Sequence, residues 1–180
     1  MSPSSLSSPV PCDTPIENLS AQLGALLLSH GYTVTTAESC TGGGIAQAIT
    51  DIPGSSRWFS YGFVTYSNVA KQQLLGISEA VIESCGAVSE QVVESMAIGA
   101  LKAAQADVAI AVSGIAGPDG GTKAKPVGMV WIAWLVSGDE AITRCYNFLG
   151  DRKSIRNQSV NEVLAVKIDL LEQKKSKNTV

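Results

Sequence analysis

Along most of this chain, apolar runs of strand length alternate with stretches whose apolar residues recur every three to four positions. That alternation constrains the fold most, because strands interleaved with helices pack as a sheet with helices on its faces. Thr14-Pro15-Ile16-Glu17 reads as a helix start, with Thr14 as cap, Pro15 in the first turn and Glu17 completing a capping box. Ile16, Leu19, Leu23, Leu26 and Leu27 follow at helical spacing, and Gly31 offers a left-handed stop. Residues 32–37 are β-branched and strand-like. A second helix is expected to open within 40–44 and to end at Asp51-Ile52-Pro53-Gly54. Further strands are expected at 63–66, 107–112, 127–136 and 142–148, the last two forming an antiparallel pair across Ser137-Gly138-Asp139. Further helices are expected at 68–75 before Gly76, at 78–85 before Gly86, after the cap Ser89, and from Asp151 to Leu171. The result is a three-layer α/β/α domain whose sheet is partly parallel with an antiparallel element.

At 180 residues the chain suits a single domain. Residues 1–13, rich in Ser and Pro, read as a disordered tail, residues 14–172 as the domain, and residues 173–180 as a polar tail. A net charge of -3 gives no basic footprint, so nucleic acid is not expected as a partner. No apolar run approaches the ~20 residues of a membrane span, and no signal peptide is evident, so the expected location is the cytoplasm. The four cysteines form no C-x-x-C pair, and free thiols are the expected state. His30 is the single histidine; any histidine triad must use it, and sites needing two histidines on a metal are excluded.

Four segments carry residues suited to chemistry. The first, residues 37–44 (AESCTGGG), lies where a strand hands over to a helix, at the edge where open α/β sheets place ligands. Its glycines let a ligand approach the backbone, and first-turn N–H groups can hold a phosphate or an oxyanion. Ser39 is a nucleophile or, as serine before a helix more often is, a cap; Thr41 is open to the same capping role. Cys40 is a rival nucleophile or a buried hydrophobe. In the second segment Lys71 falls in the first turn of a helix capped by Ser67 or Asn68. A cation there opposes the helix dipole, which favours the neutral amine a general base requires; a solvated surface lysine is the bland alternative. The third, residues 113–121 (SGIAGPDGG), is a glycine-rich loop after an apolar strand, without the P-loop or dinucleotide-binding spacing. The fourth places Arg152 at a helix start, suited to a phosphate or simply to the surface.

Taken together, residues 36–43 (TAESCTGG), 50–56 (TDIPGSS), 62–68 (GFVTYSN), 86–90 (GAVSE), 113–121 (SGIAGPDGG) and 125–128 (KPVG) resemble the CinA C-terminal domain family. The likeness runs through roughly 16–171 and is strongest to stand-alone bacterial members, the nicotinamide-nucleotide amidases. It implies a three-layer α/β/α fold with a mixed, mostly parallel five-stranded sheet. It also implies hydrolysis of nicotinamide mononucleotide to nicotinate mononucleotide and ammonia, in pyridine-nucleotide recycling, through a Ser–Lys dyad. The family serine matches Ser39 and its lysine Lys71, with a site tyrosine at Tyr66 and an arginine at Arg152. Backbone N–H groups near Thr41 and Gly42 are then oxyanion candidates. Thr41, Gly42, Gly43, Gly114, Gly117 and Arg152 are expected around the substrate, the loop and Arg152 toward its phosphate. Tyr66 is expected to hold Lys71 or the amide. No cofactor or metal is expected. The partners expected are a small nucleotide substrate and further copies of the chain in a homo-oligomer. The competing reading is a non-catalytic nucleotide-binding module of the competence/damage-inducible type; a third is an amidase acting on another phosphorylated amide.

Overall fold

The protein is described, over residues 14–177, from a computed structural model. The expected tail at 1–13 and residues 178–180 lie outside the described residues. Helix α1 (Ile16–His30) begins after Pro15, and no side chain caps it; the Pro15 carbonyl accepts the N–H groups of Asn18 and Leu19 instead. This departs from the expected Thr14 cap. The cap position is Pro15 itself (φ -55°, ψ 142°), so the first turn starts one residue later than expected and Thr14 stands one place too early to cap it. Gly31 closes α1 in the left-handed conformation, as expected.

The strands are β1 (Val34–Glu38), β2 (Phe59–Val64), β3 (Val108–Gly114), β4 (Met129–Val136) and β5 (Ile142–Asn147). They form one sheet in the order β2-β1-β3-β4-β5. β2, β1 and β3 pair in parallel; β4 is antiparallel to both β3 and β5, so β4 alone is reversed. The expected mixed, mostly parallel five-stranded sheet is therefore present. β2 starts four residues earlier than its pattern implied. It is an edge strand with most residues exposed, so the period-two burial signal is missing where Ser60, Tyr61 and Gly62 stand.

Helices α2 (Gly44–Thr50), α3 (Asn68–Leu75), α4 (Glu79–Cys85), α5 (Glu90–Ala104) and α6 (Arg152–Lys177) complete the fold, with a 3-10 turn at Ser55–Arg57. Ser67, Ser78 and Ser89 cap α3, α4 and α5 through side-chain oxygens. α6 continues to Lys177 rather than stopping at Leu171, since no glycine or proline interrupts it.

The two faces of the sheet differ in size. Toward α1, α2 and α6 the strands present Val34, Val108, Ile110, Val112, Ile132 and Trp134. Toward α5 they present Ala37, Ala109, Ala111 and Ala133, which meet Val92, Val93, Met96 and Ala97. Each fully buried aliphatic side chain contributes about 1.5–3 kcal/mol. Small residues on this face bring α5 close to the strands. α3 is then seated on α5 at Gly99, where a Cβ would lie 2.2 Å from the Leu75 carbonyl oxygen. The helix that carries Lys71 is thereby fixed in height above the carboxyl ends of β1 and β3.

Candidate active site

β1 ends on Glu38, and the chain turns sharply through residues 39–43. Ser39 N–H donates to the Val112 carbonyl, Gly42 N–H to the Ser39 carbonyl and Gly44 N–H to the Thr41 carbonyl. Gly42 and Gly43 take φ of 59° and 93°, a left-handed region that side chains avoid. Gly43 is the N-cap of α2 and has no side chain to cap with. Glu38 does that work from the end of β1. Its fully buried carboxylate accepts from Thr41 Oγ1 at 2.7 Å, Ile45 N at 3.0 Å and Ala46 N at 2.8 Å. The N–H groups at this helix start are thus committed within the protein, and the free first-turn donors expected for a phosphate are not free. Sequence reasoning passed over Glu38. The available signal was a carboxylate closing a strand that is otherwise uncharged and mostly β-branched, which must find partners when buried.

Ser39 is buried beside Lys71, whose Nζ lies 3.2 Å from Ser39 Oγ and donates to the Thr65 carbonyl at 2.9 Å. Only 1% of Lys71 is exposed, so it is not a surface lysine. It stands in the first turn of α3, as expected, one residue beyond Ala70, whose N–H the Ser67 cap accepts. Burial pushes its pKa below the ordinary lysine value, with Cys40 pulling weakly the other way. Cys40 is buried too, and burial pushes its thiol up to about 12 despite opposing N–H groups at Cys40 and Thr41. A thiol so placed stays protonated and makes a poor nucleophile.

A cavity of about 280 Å³ opens over this pair. Ser39, Lys71, Tyr66, Gly114, Gly117 and Arg152 line it, so the structure brings these expected site residues together. Tyr66 is exposed, and its hydroxyl accepts from Arg152 Nη2 at 2.7 Å; the group holding Lys71 is the Thr65 carbonyl. Arg152 Nη1 donates to the Gly117 carbonyl at 2.7 Å. One guanidinium thus ties the β2–α3 segment and the glycine-rich loop to the start of α6, which Asp151 caps through Ser154 N–H at 2.7 Å. Ser113 on the cavity wall donates to the Ala87 carbonyl, and Lys125 donates to the carbonyls of Cys85 and Val88. The 86–90 and 125–128 segments therefore serve to hold the wall.

Thr41, Gly42 and Gly43 do not line this cavity. Thr41 faces a larger depression of about 750 Å³ between α2 and α6, which Arg152 also borders but Ser39 and Lys71 do not. Arg156, a second residue that sequence reasoning missed, donates to the Thr41 carbonyl at 2.7 Å and covers Gly42, where a Cβ would lie 3.2 Å from its Nη2.

Comparison with known proteins relates the whole chain, rather than its site residues, to named relatives. Nicotinamide-nucleotide amidohydrolase PncC of Escherichia coli strain K12 is 58% identical over 147 residues, covering 82% of this chain and 89% of that protein. The protein of the same name from Pseudomonas putida is 53% identical over 146 residues, 81% of this chain and 91% of that one. The crystal structure of a competence-damaged protein (CinA) superfamily member from Klebsiella pneumoniae superposes with a TM-score of 0.86 at 36% identity, over 89% of this chain and 99% of that one. The CinA C-terminal domain family matches residues 16–171, a span that holds the Glu38–Ser39 turn, Lys71, the glycine-rich loop and Arg152, and the chain belongs to that family.

Proposed function

We propose that this chain is an amidohydrolase that converts nicotinamide mononucleotide to nicotinate mononucleotide and ammonia, with Ser39 as nucleophile and Lys71 as its base. The observation that carries the reading is the buried Lys71 amine, 3.2 Å from a serine hydroxyl and held by one neutral carbonyl. No carboxylate is among the groups that lower or raise its pKa, and burial favours the neutral form that can accept a proton. The high identity to proteins named nicotinamide-nucleotide amidohydrolase supports the substrate.

In this mechanism Ser39 Oγ attacks the carboxamide carbon while its proton passes to Lys71. The C=O bond opens to an oxyanion, which is assigned to backbone N–H groups of the turn after Ser39, with Gly42 N–H set aside because the Ser39 carbonyl takes it. Collapse breaks the C–N bond, and Lys71 returns the proton to the leaving nitrogen, releasing ammonia and an ester on Ser39. Lys71 then draws a proton from water as it attacks the ester, and Ser39 recovers its hydroxyl when nicotinate mononucleotide leaves. Arg152 and the backbone of the loop at Gly114 and Gly117 are assigned to the phosphate, Tyr66 to orienting Arg152. The chemistry calls on no metal or redox cofactor. No helix among the described residues is long and apolar enough to cross a membrane. A cytoplasmic homo-oligomer acting in pyridine-nucleotide recycling completes the reading.

The test is incubation of the purified chain with nicotinamide mononucleotide, reading ammonia and nicotinate mononucleotide together. Equimolar release, abolished by Ser39→Ala, is expected. Binding of the nucleotide without ammonia release points instead to a non-catalytic module. Turnover of a different phosphorylated amide alone shifts the substrate.

A further inference from the structure

Lys167, on α6, is the buried amine that the proposed chemistry leaves unused. It is 1% exposed. Among the described residues no group is within hydrogen-bonding or ion-pairing distance of its Nζ, and Asp139, which acts on it electrostatically, is bound by Lys174 at 2.6 Å. Burial pushes its pKa down to about 8, with Lys174 adding to the shift and Asp139 opposing it. A lysine charged in such a place and left without a partner carries a desolvation cost that an arriving anion would relieve.

Lys167 lines a cavity of about 380 Å³, within the range of small-ligand sites but near its lower end. Trp134, Ile142 and Leu170 supply apolar wall, while Asp139, Glu140 and Lys174 stand on its polar side. The cavity lies at the other end of the sheet from Ser39. Val136, on its rim, pairs with Val108 at the start of β3, whereas Gly114 at the end of that strand lines the proposed active site. The seven residues of β3 separate the two by about 20 Å.

We propose that this cavity is a second small-molecule site, which takes a monocarboxylate with a compact apolar body and pairs its carboxylate with Lys167. Each part of that class follows from the walls. One unengaged cation matches one negative charge. Asp139 and Glu140 repel a dianion such as a phosphate monoester. The aromatic and aliphatic side chains favour hydrocarbon, and the volume limits it to roughly a single ring or a short branched chain. The proposal does not depend on the amidase reading.

Benzoate and 3-methylbutanoate are the probes, titrated by calorimetry into the full chain and followed through the Trp134 indole N–H resonance, which reports on this site because Trp134 lines the cavity and its N–H is held in place by the Val163 carbonyl. Saturable one-to-one binding with a Kd on the order of 1 mM is expected. It should persist in Ser39→Ala and weaken at least about tenfold in Lys167→Met, with phenyl phosphate binding more weakly than benzoate. Methionine keeps the apolar stem and removes the charge, so the variant should fold; Lys167→Gln serves as a second variant. The proposal is overturned if neither acid perturbs Trp134 below about 20 mM, if Lys167→Met binds as well as the parent, or if phenyl phosphate is preferred.

Discussion

Lys71 and Lys167 are both buried side chains that line cavities at opposite ends of the same sheet, and both have their pKa lowered chiefly by burial. What separates them is the company of the amine. Lys71 Nζ is fixed by the Thr65 carbonyl and faces the Ser39 hydroxyl; Lys167 Nζ faces a cavity with its neighbouring carboxylate already engaged. Desolvation makes an amine available for proton transfer, but only a placed donor turns that availability into catalysis. The same desolvation without a donor leaves a site that lacks an anion.

Removing the hydroxyl puts Lys71 in the condition of Lys167. Ser39→Ala should therefore lower kcat for amide hydrolysis by about four orders of magnitude with the fold intact, whereas Cys40→Ala should stay within about threefold. An active Ser39→Ala with a dead Cys40→Ala would mean a thiol enzyme. Next in size is Lys71→Arg, which keeps charge but cannot give up its proton near neutrality; a loss of about a thousandfold, equal to that of Lys71→Ala, is expected. In the parent, kcat/KM should rise with pH on a one-proton limb as Lys71 loses its proton, at a pH below that of a free lysine. An arginine variant within about tenfold of the parent would reduce Lys71 to a positioning cation.

A smaller effect sharpens the contrast from inside the active cavity. Arg152→Ala should raise KM for the nucleotide about tenfold while kcat changes little, because a phosphate contact is held equally in ground and transition states. A kcat-only loss would instead assign Arg152 to the reacting amide. The smallest effect on turnover belongs to Lys167→Met, expected within about twofold of the parent. Its signature is in stability. A lysine whose folded pKa lies below its unfolded value destabilises the fold while it is charged, and that penalty is relieved as pH rises from the folded value, about 8, to the unfolded value. Urea unfolding should find Lys167→Met more stable than the parent at neutral pH, with the difference closing above about pH 10, near the free lysine value. A difference independent of pH would trace it to packing rather than charge.

Much of this arrangement is legible in the amino-acid sequence. Ser89 as a cap, Ser67 as one of two candidates for another, Gly31 and Gly76 as stops and the five strands follow from local chemistry that tertiary contacts reinforce, whereas Ser78 caps the helix it was expected to begin. Ser39, Lys71, Tyr66 and Arg152 stand out as a set through their motifs, and they meet around one cavity. The start of β2 is hidden because an exposed edge strand needs no burial pattern. Glu38 and Arg156 are hidden for a different reason: their partners, at Ile45 and Ala46 and at the Thr41 carbonyl, follow from the tight turn at 39–43, which brings the amino end of α2 back onto β1 and under α6. Contacts set by a non-periodic turn, or by a helix far along the chain, leave no periodic trace in a sequence.

The contact between Gly99 and the Leu75 carbonyl makes α3 a gauge block. Its far end rests on the α5 backbone, and its near end presents Lys71. A single added methyl at Gly99, remote from substrate, must lift the block, and the interval between Nζ and Oγ opens with it. In a screen for altered substrate range, position 99 should then be silent in nucleotide binding and loud in turnover. Gly99→Ala is the variant to assay, with kcat falling at constant Kd; a normal kcat would mean that α3 tilts about its amino end and leaves Lys71 where it was.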